Sequence, residues 1–256
     1  MKKPKWVIEK EKARREGGSG SFWLFGLHAV RDALMNPDRE KLRLVLTKNA
    51  ADRLGDTLSQ SPIAPEIADA RKFPVPLDPG SVHQGAALEV RPLDWGPISD
   101  LGAGEGPRTV LCLDRVTDPH NVGAVLRSAE VFGASAVIAP TRHAAPETGA
   151  LAKSASGALE RQPYLRVKNL AASLEHLKEL GFYVIGLDGE AEHNLEDILA
   201  DAPERVALVL GAEGPGLRDK TKATCDRLAK IRFQGDFGSL NVSNAAAVSL
   251  YATGLR

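Results

Sequence analysis

Residues 206–216 read VALVLGAEGPG, five apolar residues followed at once by a glycine-rich segment. A short apolar run that stops at glycine is typical of a buried strand ending in a tight turn. Further strands are predicted on either side of this run, at 109–113, 136–139, 182–187 and 228–231. Helices are predicted between them near 121–132, 146–154, 170–180 and 218–225, with a last one at 243–255. This alternation predicts an α/β fold in which helices cover a parallel sheet.

A second, smaller α/β domain is predicted at 21–92, upstream of this pattern. It would contain a helix at 27–34 and strands at 42–46 and 86–90. Residues 93–107 are rich in Gly and Pro, a composition typical of an interdomain linker. The larger domain is therefore predicted to span 108–256.

The composition of the chain excludes a wholly disordered, collagen-like or coiled-coil protein. The chain has 256 residues, 43% of them hydrophobic, and 33 basic residues balance 33 acidic ones. These values are typical of a soluble globular protein. The longest uncharged apolar stretch, 242–255, is too short to span a bilayer, and no apolar signal sequence opens the chain. We therefore expect a cytoplasmic protein that does not enter a membrane.

Metal and disulfide chemistry have no signature in the sequence. Cys112 and Cys225 are the two cysteines, and they form no paired motif. The six histidines do not fall into metal-ligand spacing. We predict no metal site.

The charge is unevenly distributed along the chain. Residues 1–20 carry seven Lys or Arg against three Glu and end in Gly-Gly-Ser-Gly, so they are predicted to form a basic, flexible tail. Such a tail suits a polyanion such as nucleic acid, because it can neutralise phosphates. A solvated terminus with no partner fits the same composition.

Three loops follow predicted strands, at 114–123, 211–216 and 237–243. Ligands of parallel α/β sheets bind beyond the carboxyl ends of the strands. The first loop lacks the G-x-G-x-x-G of a dinucleotide site, and the second lacks the Lys-Ser/Thr of a P-loop. Taken singly, the glycines could form a plain turn, and Asn121 and Asn241 could cap helices. Their coincidence on three such loops favours a ligand site.

Three motifs in these loops carry a resemblance. Asn121 followed six residues later by Arg127, then LGAEGPG at 210–216, then SLNVS at 239–243, resemble the ordered motifs of the SpoU/TrmH family. That family consists of S-adenosylmethionine-dependent RNA 2′-O-ribose methyltransferases of the SPOUT class. The resemblance covers the whole of 108–256.

Segments outside these motifs are similar to one branch of the family. GLHAV at 26–30, HQG at 83–85 and KSASGALE at 153–160 resemble the branch that methylates a guanosine ribose in 23S ribosomal RNA. The resemblance implies a small N-terminal RNA substrate-binding domain and a SPOUT domain whose parallel sheet carries a deep trefoil knot. It also implies an RNA partner and a homodimer formed through the C-terminal helix, which bears no charge before Arg256.

The resemblance also assigns candidate site residues. The catalytic candidates are Arg127, Asn121, Glu213, Ser239 and Asn241. The candidates for binding S-adenosylmethionine are Gly211, Gly216, Ile231, Leu240, Leu210 and Gly186. Arginine stays protonated in proteins, so we expect Arg127 to stabilise the developing alkoxide, which leaves the identity of the base open.

RNA contacts are predicted in the small domain. Its basic candidates for binding phosphates are Arg39, Lys41, Arg43, Lys48 and Arg53. Phe22, Trp23 and Phe25 could stack on unpaired bases, but packing in the small core is the favoured interpretation of these aromatic residues. Two other functions stay open on the sequence alone: a transfer RNA 2′-O-methyltransferase, and a non-catalytic RNA-binding or ribosome-assembly factor on the same scaffold.

Overall fold

The computed structural model describes residues 20–77, 80–233 and 240–254. Apart from Gly20, the predicted basic tail lies outside the described residues. Its proposed contact with nucleic acid stays a prediction.

The contacts of the chain divide it into two compact units. Unit 1 comprises residues 1–94 and 146–160, and unit 2 comprises residues 95–145 and 161–256. These units depart from the predicted domains in two places. They assign 146–160 to unit 1, and they assign the predicted linker from residue 95 onward to unit 2.

The secondary structure follows the predicted alternation, with additional short elements. The strands are β1 Phe22–Phe25, β2 Lys41–Leu46, β3 Pro65–Ile67, β4 Ala86–Val90, β5 Arg108–Asp114, β6 Ala136–Pro140, β7 Tyr164–Val167, β8 Tyr183–Leu187, β9 His193–Asn194, β10 Arg205–Gly211 and β11 Arg227–Lys230. The helices are α1 Leu27–Met35, α2 Lys48–Leu54, α3 Asp56–Ser59, α4 Pro119–Val131, α5 Gly149–Ala155, α6 Leu170–Glu179, α7 Leu195–Asp201, α8 Asp219–Thr224 and α9 Val242–Gly254.

Unit 1 contains a four-stranded sheet in the order β1-β4-β2-β3. Strand β4 is antiparallel to both β1 and β2, and β3 is parallel to β2. The apolar residues of α1 recur at helical spacing, and Leu27, Val30, Ala33 and Leu34 are buried together. The short α/β unit predicted from 27–34, 42–46 and 86–90 is thus present, with β1, β3, α2 and α3 in addition.

Helix α5 belongs to unit 1 because it packs directly on β1. A Cβ atom on Gly149 would lie 2.2 Å from Cδ1 of Phe25 and 2.5 Å from the carbonyl oxygen of Trp23. Only glycine permits so close an approach of the helix to the strand. The ring of Phe25 is therefore used in packing: this side chain is 8% exposed.

A buried ion pair joins Arg39 to Glu160, the last residue of the 146–160 segment of unit 1. Nε of Arg39 donates to Oε2 of Glu160 at 2.9 Å, and the second bond, from Nη2 to Oε1, measures 2.8 Å. Nη1 of Arg39 donates to the carbonyl oxygen of Arg91 at 2.7 Å. Arg39 is only 2% exposed, so the prediction that it contacts RNA phosphates is wrong.

Glu160→Ala should destabilise the protein by about 3–5 kcal/mol, because it leaves the guanidinium of Arg39 buried without its counter-charge. Glu66→Ala is the matched control. It removes the partner of Arg43 from a pair whose side chains are 40% and 54% exposed, and we expect little change. Urea unfolding of both variants measures the effect, and equal losses would show that burial of the Arg39–Glu160 pair has no energetic consequence.

Unit 2 is built on a seven-stranded sheet in the order β7-β6-β5-β10-β8-β11-β9. Every pairing described in this sheet is parallel. This confirms the predicted α/β fold with a parallel sheet. The central strand is β10, the apolar run from which the prediction starts, and its residues 206–209 are completely buried.

The predicted linker is partly folded onto unit 2. Trp95 and Ile98 pack against the core cluster of this unit, and Leu101 belongs to that cluster. Nη1 of Arg205 donates to the carbonyl oxygens of Gly102 at 3.2 Å and Leu180 at 3.1 Å. Gly and Pro in this segment therefore shape a packed connection, which composition alone does not distinguish from a free linker.

The last helix, α9, packs against α4 in unit 2. The rings of Phe132, directly after α4, and Tyr251 on α9 make an edge contact with their centroids 6.2 Å apart. One face of α9 is buried, while Val248 and Tyr251 are 44% and 58% exposed. Among the described residues, no helix combines the length and apolarity needed to cross a membrane.

Candidate functional site

Two of the three predicted loops leave the sheet side by side. Strands β5 and β10 are neighbours, and their last residues, Asp114 and Gly211, are paired in register. Because the strands are parallel, the loop from Asp114 to α4 and the glycine-rich loop after Gly211 start at the same carboxyl edge. The sheet therefore brings together segments about a hundred positions apart in sequence.

Three predicted site residues meet beyond this edge. Nδ2 of Asn121 donates to Oε1 of Glu213 at 3.1 Å. Nδ2 of Asn241 donates to the same oxygen at 2.5 Å and to Oδ1 of Asn121 at 3.0 Å. We call Asn121, Glu213 and Asn241 the polar cluster. Each of its members comes from a different one of the three loop regions.

The starts of two helices hold the polar cluster in place. Helix α4 is capped by Asp118, whose Oδ1 accepts from the amide of His120 at 2.9 Å, and Pro119 occupies its first position. Asn121 is therefore not the cap of α4. Oδ1 of Asn241, in contrast, accepts from the amide of Ser243 at 2.9 Å and from its hydroxyl at 2.6 Å. Asn241 thus stabilises the start of α9 and joins the polar cluster as well.

The glycine-rich loop is closed at its neck. The amide of Gly216 donates to the carbonyl oxygen of Ala212 at 2.9 Å, and these residues form an isolated bridge. A Cβ atom on Gly211 would lie 2.2 Å from the carbonyl carbon of Gly216 and 2.4 Å from the amide of Leu217. The backbone φ of Gly216 is +65°, a conformation that other residues rarely adopt. Both glycines are therefore required for the shape of this loop.

A buried carboxylate ties the end of the loop to β5. Asp114 is fully buried and accepts from the amide of Arg218 at 3.1 Å and from its Nε at 2.8 Å. Nη2 of Arg218 lies 2.8 Å from the same carboxylate. Since Asp114 ends β5 and Arg218 follows the loop, this pair fixes the loop against the neighbouring strand. Neither residue has a role that was predicted from the sequence.

Charged and thiol groups lie near the carboxyl end of β8. Nζ of Lys222 lies 2.5 Å from Oδ2 of Asp188, and this hydrogen bond holds the pKa of the carboxyl below its usual value. Burial raises the pKa of the Cys225 thiol to about 12. Burial also raises the pKa of the other thiol, Cys112 on β5. Both thiols are therefore protonated and unreactive at neutral pH.

A model of the SpoU rRNA methylase family matches residues 108–251, more than half of the chain. The chain belongs to this family. This confirms the family that the three motifs predict. The matched region contains every member of the polar cluster.

Relatives named as 23S rRNA (guanosine-2′-O-)-methyltransferase RlmB resemble the chain over nearly its full length. The protein of Vibrio vulnificus is 39% identical over 235 residues, which are 90% of this chain and 94% of that protein. The protein of Ralstonia nicotianae is 40% identical over 242 residues, which are 91% and 95% of the two chains. The similarity therefore extends well beyond the three motifs.

Solved SpoU methyltransferases share the fold. AviRb from Streptomyces viridochromogenes, in complex with the cofactor AdoMet, has a TM-score of 0.79 at 23% identity, over 96% of this chain and 92% of that one. An AdoMet-bound rRNA methyltransferase from Sinorhizobium meliloti has a TM-score of 0.78 at 22% identity, over 97% and 91%. At this level of identity the likeness shows the fold alone.

Arg127 lies on the same helix as Asn121 but forms none of the hydrogen bonds that join the polar cluster. It lies on α4 six residues after Asn121, about 9 Å further along the axis and on a different side of the helix. Its side chain is exposed and makes no hydrogen bond or ion pair with any residue that the structure describes. The guanidinium is thus available to a ligand, and its catalytic role stays a prediction.

The cofactor candidates occupy different environments. Leu210 is 2% exposed, so its side chain belongs to the core and only its backbone is available to a ligand. A Cβ atom on Gly186 would lie 2.8 Å from Cδ2 of Leu228 and 2.9 Å from Sγ of Cys225, so packing accounts for this glycine. Ile231 is half-buried and Leu240 is 48% exposed. Contact of these residues with a cofactor stays a prediction.

Ser239 lies outside the described residues, as do residues 237 and 238 of the third predicted loop. Its assignment as a catalytic residue also stays a prediction. Within residues 20–77, 80–233 and 240–254, no group of three His, Cys, Asp or Glu side chains is placed to hold a metal ion.

Proposed function

We propose that this protein transfers a methyl group from S-adenosylmethionine to the ribose 2′-hydroxyl of a guanosine in 23S ribosomal RNA. The observation that carries the proposal is the polar cluster, which three family motifs form beyond one edge of the parallel sheet. The relatives at 39–40% identity, whose names specify this reaction, support the choice of substrate. Since ribosomal RNA is the substrate, the protein works in the cytoplasm.

The cofactor site in this proposal is the glycine-rich loop and the residues around it. S-adenosylmethionine supplies a sulfonium methyl group as the electrophile. The groups present fit such a ligand: Leu240 offers exposed apolar surface to the adenine, and the loop at 211–216 offers backbone donors and acceptors. Oε2 of Glu213 accepts no hydrogen bond from the described residues, so this carboxylate can offset positive charge. Leu210, Gly186 and Ile231 complete the proposed set.

The protein's contribution to the reaction is positioning and electrostatics. A neutral 2′-hydroxyl is a weak nucleophile. The polar cluster holds the ribose or its phosphate through amide groups, together with Ser239. Arg127 remains protonated and presents five donors, so it orients the 2′-oxygen and stabilises the negative charge that develops on it.

We also propose that the protein is a homodimer through α9. This helix exposes Val248 and Tyr251, and residues 131 and 132 at the end of α4 are 71% and 43% exposed. Exposed apolar surface of this kind is typical of an interface. The deep trefoil knot, implied by the family resemblance, belongs to the same proposal, as does RNA recognition by unit 1.

Tyr251→Glu should convert the dimer to monomers, because it places a charge in the apolar interface. Met35→Glu is the matched control, since Met35 is 53% exposed at the end of α1 in unit 1. Sedimentation velocity distinguishes the two species. A wild-type chain that sediments as a monomer would contradict the homodimer, and so would a Tyr251→Glu variant that remains dimeric.

Transfer of tritiated methyl groups from S-adenosylmethionine tests the proposed function. We expect incorporation into a 23S rRNA transcript and none into transfer RNA. Incorporation into transfer RNA alone would overturn the choice of substrate. A protein that binds RNA but transfers no methyl group to any cellular RNA would be a binding factor and not an enzyme.

A further inference from the structure

The structure separates the basic residues predicted to bind phosphates into paired and unpaired groups. Arg43 is bound to Glu66 by two hydrogen bonds, at 2.9 and 2.8 Å. Nζ of Lys41 donates to two backbone carbonyl oxygens, at 2.6 and 3.1 Å. Lys48 and Arg53, in contrast, are exposed and bind no other residue of the described part of the chain. These two cations are therefore available to an anionic ligand.

Lys48 and Arg53 line the same cavity in unit 1. Its volume is about 610 Å³, within the range of small-ligand sites. Its other polar side chains are Thr47, Asn49, Asp69, His83 and Gln84. The lining thus carries two cations and a single carboxylate, that of Asp69. Oδ1 of Asp69 already accepts a hydrogen bond from the amide of Arg71 at 2.8 Å. The cavity therefore favours an anion.

Two further side chains in the cavity are left as hydrogen-bond donors. Oε1 of Gln84 accepts from the amide of Leu27 at 3.2 Å, which leaves the amide NH₂ of Gln84 for a ligand. Nδ1 of His83 accepts from the amide of Gly85 at 3.1 Å, so the neutral ring carries its proton on Nε2. Both donors lack a partner among the residues described.

Close packing constrains residues 83–85, which line the cavity. Gln84 and Gly85 adopt φ values of 54° and 76°, in the left-handed region. The amide of Thr47 donates to the carbonyl oxygen of Gly85 at 2.8 Å, and a Cβ atom on Gly85 would lie 2.2 Å from Oγ1 of Thr47. Phe73 stacks on His83 with ring centroids 4.4 Å apart. The donors are thus held in fixed positions before any ligand binds.

We propose that this cavity binds one unpaired nucleotide of the RNA substrate. Lys48 and Arg53 neutralise the phosphates on either side of it, and Gln84 and His83 donate hydrogen bonds to acceptor atoms of the base or ribose. Unpaired nucleotides are recognised by such combinations of charge, stacking and base-edge contacts. The inference rests on the proposed function and adds a second RNA-binding site, in unit 1, to the catalytic one.

Gln84→Glu tests the donor in the cavity with almost no change of shape. The new carboxylate still accepts from the amide of Leu27, but it replaces the NH₂ donor with a charged acceptor. We expect the affinity for a 23S rRNA transcript to fall about 10-fold or more. Gln60→Glu, an exposed site outside the cavity, adds the same charge and should bind RNA like the wild type.

The double variant Lys48→Gln/Arg53→Gln tests the two cations. The slope of log affinity against log salt should decrease by about 1–2, as expected for one or two lost phosphate contacts. For both cavity variants, KM for the transcript should rise while kcat at saturating RNA stays unchanged. Thermal unfolding checks that both are folded.

Ultraviolet cross-linking of the wild-type protein to the transcript gives an independent measurement. We expect cross-linked peptides that contain residues 47–53 or 83–85. Cavity variants that bind the transcript as the wild type does, or cross-links confined to unit 2, would overturn the inference while the proposed function stands. If the wild type transfers no methyl group but its RNA binding still depends on Gln84, the proposed function is overturned and the cavity remains an RNA-binding site. A wild type that binds no RNA would overturn both.

Discussion

A Gly211→Ala variant should lose at least about 100-fold in affinity for S-adenosylmethionine while it remains folded. The added Cβ would lie 2.2 Å from the carbonyl carbon of Gly216 and 2.4 Å from the amide of Leu217. These are backbone atoms, so the neck of the loop must open to admit the methyl group, at a cost of about 1–3 kcal/mol for overpacking alone. Opening the neck displaces the backbone groups that the cofactor would contact.

Titration calorimetry with S-adenosylmethionine measures this loss, and circular dichroism verifies the fold. Gly80→Ala is the matched control, because nothing lies within 4 Å of a Cβ atom at that position. If a folded Gly211→Ala variant binds the cofactor with unchanged affinity, the loop at 211–216 is not the cofactor site.

Arg127→Ala should lower kcat by about 100-fold or more and leave the affinity for S-adenosylmethionine nearly unchanged. Removing one donor that stabilises a developing oxyanion has an effect of about this size. The guanidinium has no partner among the described residues, so its loss should not disturb the fold. Arg127→Lys keeps the charge but loses the paired donors, and we expect intermediate activity.

Single-turnover methyl transfer together with cofactor titration separates these effects. Arg227→Ala is the control. Arg227 is also exposed, but it begins β11 and so lies at the amino-terminal ends of the parallel strands, whereas the polar cluster lies beyond their carboxyl ends. Turnover by Arg127→Ala at the wild-type rate would remove this residue from the mechanism.

The sequence predicted the central part of unit 2 because its strands are continuous apolar runs separated by glycine-rich or polar loops. Strand β10 lies between β5 and β8 and is buried from Val206 to Leu210, and such a strand has an unambiguous pattern. Strand β7 was missed because it lies at the edge of the sheet and contains a charged residue. Arg166 in β7 donates to the carbonyl oxygens of Pro140 at 3.0 Å and Ala145 at 2.6 Å.

The sequence motifs identified individual residues of the site. They did not show which distant residues contact one another. The meeting of Asn121, Glu213 and Asn241 follows from the adjacency of β5 and β10, which the alternating pattern implies only in general terms. The bond between Asp114 and Arg218 joins positions 104 residues apart, and neither has a local pattern that reveals it. Likewise, the basic residues that follow Arg39 in the sequence are typical of an exposed surface. Only the ion pair with Glu160, which the structure shows, reveals that Arg39 is buried.

Mapping 2′-O-methyl groups in ribosomal RNA from cells with and without this protein tests the central claim most directly. We expect one guanosine of 23S rRNA to lose its resistance to alkaline cleavage at the 3′ side when the protein is absent, and to regain it when the wild-type chain, but not Arg127→Ala, is restored. An identical methylation pattern in both kinds of cell would contradict the assignment of this chain as the enzyme that modifies 23S rRNA.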